Sequence, residues 1–156
     1  MVLKKLINEY EGERTDEIRG IFSSISILQN RLQTLFDKTD TKITMKQFML
    51  LTMLRHSKGS SYTELGKLLG SSRQNIKKLA VLLEKNGFIK IESATGKNNR
   101  VQLTLTDYAE SYFEKVYADH TTILSDIFAD YTDEEIHLFY GLITRLYVGV
   151  EREEGK

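Results

Sequence analysis

Apolar residues recur at three- and four-residue steps through most of the chain, and one stretch in the second half replaces that period with strict alternation. Ile18, Ile21, Phe22, Ile25, Leu28, Leu32, Leu35 and Phe36 fall along a single stripe, which predicts a long first helix with one face to bury. In four places a Ser or Thr is followed three residues later by Gln or Glu: Thr44 with Gln47, Ser61 with Glu64, Ser71 with Gln74, and Thr132 with Glu135. Each pair has the form of a capping box, in which hydroxyl and carboxylate or amide satisfy the orphan N–H groups of a helix start. After Thr44 the run MKQFMLLTMLRH is apolar enough for a buried central helix, ended by KGS at residues 58–60. Ser61 opens a short helix in which Leu65, Leu68 and Leu69 are expected to face inward, while Gly66 lets another backbone approach closely. Gly70 closes it, and a new helix beginning at Ser71 or Ser72 runs to Gly87, a glycine placed for a left-handed C-terminal cap. Two helices joined by so short a turn predict a helix-turn-helix.

The period then changes to two. Phe88, Ile89 and Ile91 predict one short strand, and Val101, Leu103 and Leu105, alternating with Gln102 and Thr104, predict a second. The polar segment SATGKNN lies between them, so the pair reads as a β-hairpin, or wing, directly after the helix-turn-helix. Thr106 and Thr132 start two further amphipathic helices, the second carrying Ile136, Phe139, Tyr140, Ile143, Leu146 and Tyr147. Proline is absent, so no helix is broken by one. The expected fold is mainly α: a winged helix-turn-helix with a two-stranded β-wing at about residues 42–106, flanked by terminal helices at about 12–38 and 107–152, in one domain covering residues 1–156.

Composition narrows the function classes. The chain has 156 residues and is 40% apolar, enough for one full-sized core. It contains no cysteine, which excludes disulfides, thiolate metal sites and thiol redox sensing. No segment approaches the roughly 18 consecutive apolar residues of a membrane span, and the N-terminal stretch lacks a signal-peptide core, so the expected location is cytoplasmic, with no membrane partner. The net charge of zero conceals an asymmetry, because residues 1–54 carry +1, residues 55–100 carry +7 and residues 106–156 carry −8. The positive charge therefore coincides with the helix-turn-helix and wing, as an electrostatic footprint for nucleic acid would.

On a 100° wheel with Arg73 at zero, Lys77, Gln74, Lys85 and Lys78 lie within an arc of about 140°, opposite Ile76, Leu79, Leu82 and Leu83. Arg73, Gln74 and Asn75, at the start of this helix behind Ser72, are side chains suited to reading base edges, arginine on guanine and the amides on adenine. Lys77 and Lys78 suit phosphate oxygens. Gln74 has a competing role in the Ser71 capping box, and Asn75 lies at the edge of the apolar stripe. Lys97 and Arg100 in the wing are placed to reach a neighbouring minor groove. A solvated charged face is the alternative for the helix and a solubilising tip for the wing; the short turn and the hairpin together favour DNA.

Enzyme chemistry finds little support. His56, His120 and His137 are far apart with no metal-ligand spacing, and neither a phosphate loop, a nucleophile elbow nor an acid pair of defined spacing occurs. No cofactor is expected.

From Ile43 to Glu110 the sequence resembles the MarR family of winged-helix regulators. YTELGKLLGSSRQNIKKLAVLLEKNGFI is similar to that family's helix-turn-helix running into the first wing strand, and LTLTDYAE to its return strand and following helix. The resemblance implies a homodimer formed by the terminal helices, a near-palindromic double-stranded operator, repression as the commoner outcome, and control by a small-molecule effector that no residue here identifies. The family's Asp-x-Arg wing motif is altered: the stretch reads KNNR, with either Lys97 and Asn99 or Asn98 and Arg100 at its positions, and the aspartate is missing in both alignments. Gly66 stands where alanine is common and Ala109 where glycine is common, both read as tolerable exchanges. The expected function is a sequence-specific transcriptional regulator and not an enzyme, with a winged-helix protein-interaction module as the alternative.

Overall fold

The computed structural model describes residues 9–39, 42–93 and 101–156. These form α1 (Arg14–Thr39), α2 (Met45–His56), α3 (Tyr62–Leu69), α4 (Arg73–Lys85), β1 (Ile89–Ser93), β2 (Val101–Leu105), α5 (Asp107–Ile127) and α6 (Asp133–Glu154). The mainly helical fold with a two-stranded antiparallel sheet is the one the periodicity predicts. The chain divides into two compact units, Met1–Phe113 and Glu114–Lys156.

In the first unit, α2 is the centre. Gln47, Phe48, Leu50, Leu51 and Leu54 are buried, and the helix packs against α1, α3, α4 and β2, which is why its apolar residues surround it instead of forming a stripe. Capping boxes are present at Thr44 and Ser61, with the N-cap hydroxyl accepting from Gln47 and Glu64 N–H. Asp37 near the end of α1 also accepts the Met45 N–H, tying the first helix to the second. Residues from α5's first turns complete the core: Phe113 meets Phe48 edge-on at 5.6 Å, and Tyr112 meets Phe88 at 4.9 Å. Arg55 stacks over Phe113 at 5.0 Å and pairs with Glu110 at 3.2 Å.

The hairpin pairs Ile89 with Leu105 through Ser93 with Val101 in continuous antiparallel register. Both outer edges of its base are anchored. The Ile91 N–H donates to Glu84 Oε1 of α4 at 2.8 Å, and the Leu103 N–H donates to the Ser60 carbonyl at 3.1 Å. Thr106 closes the base, its Oγ1 donating to Gly87 O at 2.7 Å.

In the second unit, Thr132 caps α6 through a capping box with Glu135. No residue of α6 is buried, although Ile136, Phe139, Leu142, Leu146, Tyr147 and Val150 are all large and apolar. In the first unit α1 buries only Phe36, while Ile18, Ile21, Phe22, Ile25, Leu28 and Leu35 are exposed. No helix among the described residues is long and apolar enough to cross a membrane.

Candidate nucleic-acid interface

The turn between α3 and α4 sets the geometry of the candidate site. The Ser71 N–H donates to the Gly66 carbonyl at 2.8 Å and the Gly70 N–H to the Lys67 carbonyl at 3.4 Å, with Gly70 left-handed at φ 59°. This is the paired hydrogen-bond pattern of a Schellman cap. It folds the chain back so tightly that a Cβ on Gly66 would lie 2.6 Å from the Ser71 carbonyl oxygen. The expected close approach at Gly66 is therefore present, and glycine fits this position without strain, whereas a Cβ here would meet backbone that cannot rotate away.

The same turn decides which serine starts α4. The Ser71 N–H is already committed to Gly66, and Ser72 is the N-cap, its Oγ accepting from Asn75 N–H at 3.2 Å. The expected Ser71–Gln74 capping box does not form, because Ser71 belongs to the preceding turn. Gln74 is thereby an exposed residue with no part in the cap. Asn75, expected at the edge of the apolar stripe, is exposed too, and its side-chain amide donates to Ser71 Oγ at 2.8 Å.

Behind this start, Ile76, Ala80 and Leu83 are buried against α2 and α3. Two leucines expected inside are not: Leu82 is 50% exposed and Leu68 58%. Leu69 and Leu79 are half-buried, and the small Ala80 takes a core position instead. Ser72, Arg73, Gln74, Asn75, Lys77 and Lys78 are all exposed and share α4's first two turns. Lys97 and Arg100 lie outside the described residues.

Electrostatics reinforce this face. Among the described residues Arg73, Lys77 and Lys78 have no ion-pair partner, whereas the two nearby acids of the helix-turn-helix hold backbone: Glu64 accepts the Ser61 N–H at 2.8 Å and Glu84 accepts the Ile91 N–H. The positive end of the α4 dipole adds to the cationic potential at Arg73. Tyr62, buried at the start of α3, has its phenol pKa pushed up by burial and by the Glu84 carboxylate, with the Arg73 guanidinium opposing, so it stays neutral at ordinary pH. The surface can attract phosphate and offer donors and acceptors to base edges. Among the described residues no group of three or more His, Asp or Glu is placed to hold a metal ion. Sequence reasoning missed the edge contact made by Glu84; a carboxylate one residue before the helix end, seven residues from a strand amide, gives no local pattern by which to find it.

Residues 43–95 match the model of the MarR family. No curated protein matches the chain. Among solved structures it is similar to a MarR protein from Peptoclostridium difficile, at 20% identity over 92% of each chain with a TM-score of 0.72. It is similar to a mutant MarR from E. coli complexed with operator DNA, at 17% identity over 86% of this chain and 99% of that one, TM-score 0.73. The PcaV transcriptional regulator from Streptomyces coelicolor, in complex with its natural ligand, is 22% identical over 79% of this chain and 91% of that one, TM-score 0.67. The chain has the winged-helix fold of MarR-family transcriptional regulators.

Proposed function

We propose, from the MarR-family domain at residues 43–95 and the MarR-regulator fold that contains it, that this chain is a homodimeric, sequence-specific DNA-binding transcriptional regulator. One observation carries the reading: α4 presents an exposed cationic face, whose Arg73, Lys77 and Lys78 make no ion pair among the described residues, on a helix whose opposite face is locked into the core. In this reading α4 enters the major groove with its first half leading, Arg73 and Gln74 read bases, Lys77 and Lys78 hold phosphates, and Ser72 and Asn75 frame the helix start against the backbone. Lys97 and Arg100 extend the contact through the wing. Repression, a cytoplasmic location and control by a small-molecule effector belong to the proposal; the operator complex of one similar protein supports the DNA-binding role, and the ligand complex of another supports control by an effector. The single domain of residues 1–156, with a DNA-reading centre and dimerising ends, belongs to it as well.

Selection of bound fragments from a random duplex library tests the proposal, read at two salt concentrations. Phosphate contacts make affinity fall steeply with salt; a salt-indifferent protein that selects no sequence would instead be an interaction module. A two-fold dimer presents two equivalent helices, so the selected sites are expected to be near-palindromic with half-site centres about 10 bp apart. Sites without dyad symmetry would contradict the paired-helix arrangement.

The roles within α4 separate by substitution. Arg73→Ala is expected to cost about 1 to 3 kcal/mol on the selected site and little on random duplex, whereas Lys78→Ala weakens both alike and lowers the salt slope by about one. Titration of the two variants on both duplexes checks this; equal losses on both duplexes for Arg73→Ala would make it a phosphate contact.

A further inference from the structure

Val81 stands in the middle of the cationic face of α4. With Arg73 at zero on the helical wheel it falls at about 80°, between Lys77 at about 40° and Gln74, Lys85 and Lys78 at about 100°, 120° and 140°. It is 48% exposed, while Ala80 beside it is fully buried. A valine here carries two disadvantages that any of its cationic neighbours would avoid. Its branched side chain is a weaker helix former than lysine or arginine, and it leaves apolar surface in water. Leu82, similarly exposed, lies at about 180°, outside the cationic arc.

We infer that Val81 is a specificity-determining residue whose methyl groups pack on the 5-methyl group of a thymine in the major groove. The inference rests on the DNA-reading role proposed for α4. Thymine alone among the four bases presents a methyl on its major-groove edge, and valine alone on this face has neither donor nor acceptor to offer. A guanine, cytosine or adenine placed there would lose water from polar edge atoms and gain no partner, so the contact selects by rejection as well as by attraction. The stiffness of the branched side chain means that little rotamer freedom is lost on contact. Val81 follows Arg73 by eight residues, about 12 Å along the helix axis at about 1.5 Å per residue. At about 3.4 Å per base pair along the duplex axis, the thymine then lies no more than about four base pairs from the base that faces Arg73, and fewer where the helix follows the tilt of the groove.

The experiment uses the selected duplex with each thymine replaced in turn by deoxyuridine, which removes only the 5-methyl group. Wild type and Val81→Ala are titrated against every duplex; alanine is a better helix former than valine, and circular dichroism confirms that the variant is folded. Wild type is expected to lose about fourfold in affinity at one symmetry-related pair of thymines, where Val81→Ala, with only its single methyl left to touch the base, loses clearly less while keeping the wild-type response elsewhere. Identical uracil profiles for the two proteins, or a selected site with no thymine within about four base pairs of the Arg73-dependent base, would overturn the assignment while leaving the DNA-binding role intact. If the wild type selects no sequence at all, the DNA-reading role itself falls, and the thymine contact with it.

Discussion

Gly66→Ala is expected to lower the stability of the chain by about 1 to 3 kcal/mol, the usual cost of forcing extra volume into a packed site. The sign is informative, because glycine-to-alanine within a helix ordinarily gains about 0.5 to 1 kcal/mol from propensity. Here the new Cβ would meet the Ser71 carbonyl oxygen at 2.6 Å, closer than side chains tolerate, and that oxygen is part of the turn that aims α4. Relief requires α3 and the turn to separate, which loosens the Ser71–Gly66 hydrogen bond and shifts the start of the recognition surface. Thermal unfolding followed by circular dichroism should show a midpoint lowered by about 2 to 4 °C for each kcal/mol. A variant melting at or above the wild-type temperature would show that the turn relaxes at no cost.

Leu146→Glu is expected to abolish dimerisation and, with it, specific DNA binding. Leu146 is 43% exposed on a helix with no buried residue, and α1 exposes a second row of isoleucines, leucines and a phenylalanine. At about 25 cal/mol per Å², leaving two such rows in water costs several kcal/mol, which burial against a second copy recovers. A carboxylate placed in that contact is desolvated without a partner, a penalty of about 3 to 5 kcal/mol. Ile143→Glu, at a half-buried position of the same helix, is the companion variant. Specific affinity should then fall by about 10² to 10⁴, the advantage lost when two linked reading heads become independent. Sedimentation equilibrium supplies the check: wild type at micromolar concentration should sediment at twice the chain mass of 18.0 kDa and the variant at the single mass. A monomeric wild type would end the dimer proposal.

Much of the fold was legible because its signals are local. A capping box involves four consecutive residues, so Thr44, Ser61 and Thr132 announced their helices correctly. Alternation at Ile89, Ile91, Val101, Leu103 and Leu105 announced the hairpin for the same reason. Where neighbours in space decide, the pattern misled. Ser71 and Gln74 have the spacing of a box, yet the turn closing α3 had already taken the Ser71 amide. Leu68 and Leu82 count as core by hydrophobicity, but the tight contact between α3 and α4 admits the small Ala80 and leaves those leucines outside. The exposed face of α4 could be read from the sequence because charge itself marks it; Val81 could not, since an apolar residue on a charged face acquires meaning only once its exposure is known.

The two anchors at the base of the hairpin have an evolutionary consequence. Glu84 holds one edge through Ile91 and Ser60 holds the other through Leu103, so strand register is set by α4 and the segment before α3. Neither amide remains available to template a foreign strand. Because both anchors lie outside the hairpin, exposed strand positions such as Lys90, Glu92 and Gln102 can change charge or size over generations without a slip of register. A lineage can thus alter the chemistry of this surface while the pairing beneath it is inherited unchanged.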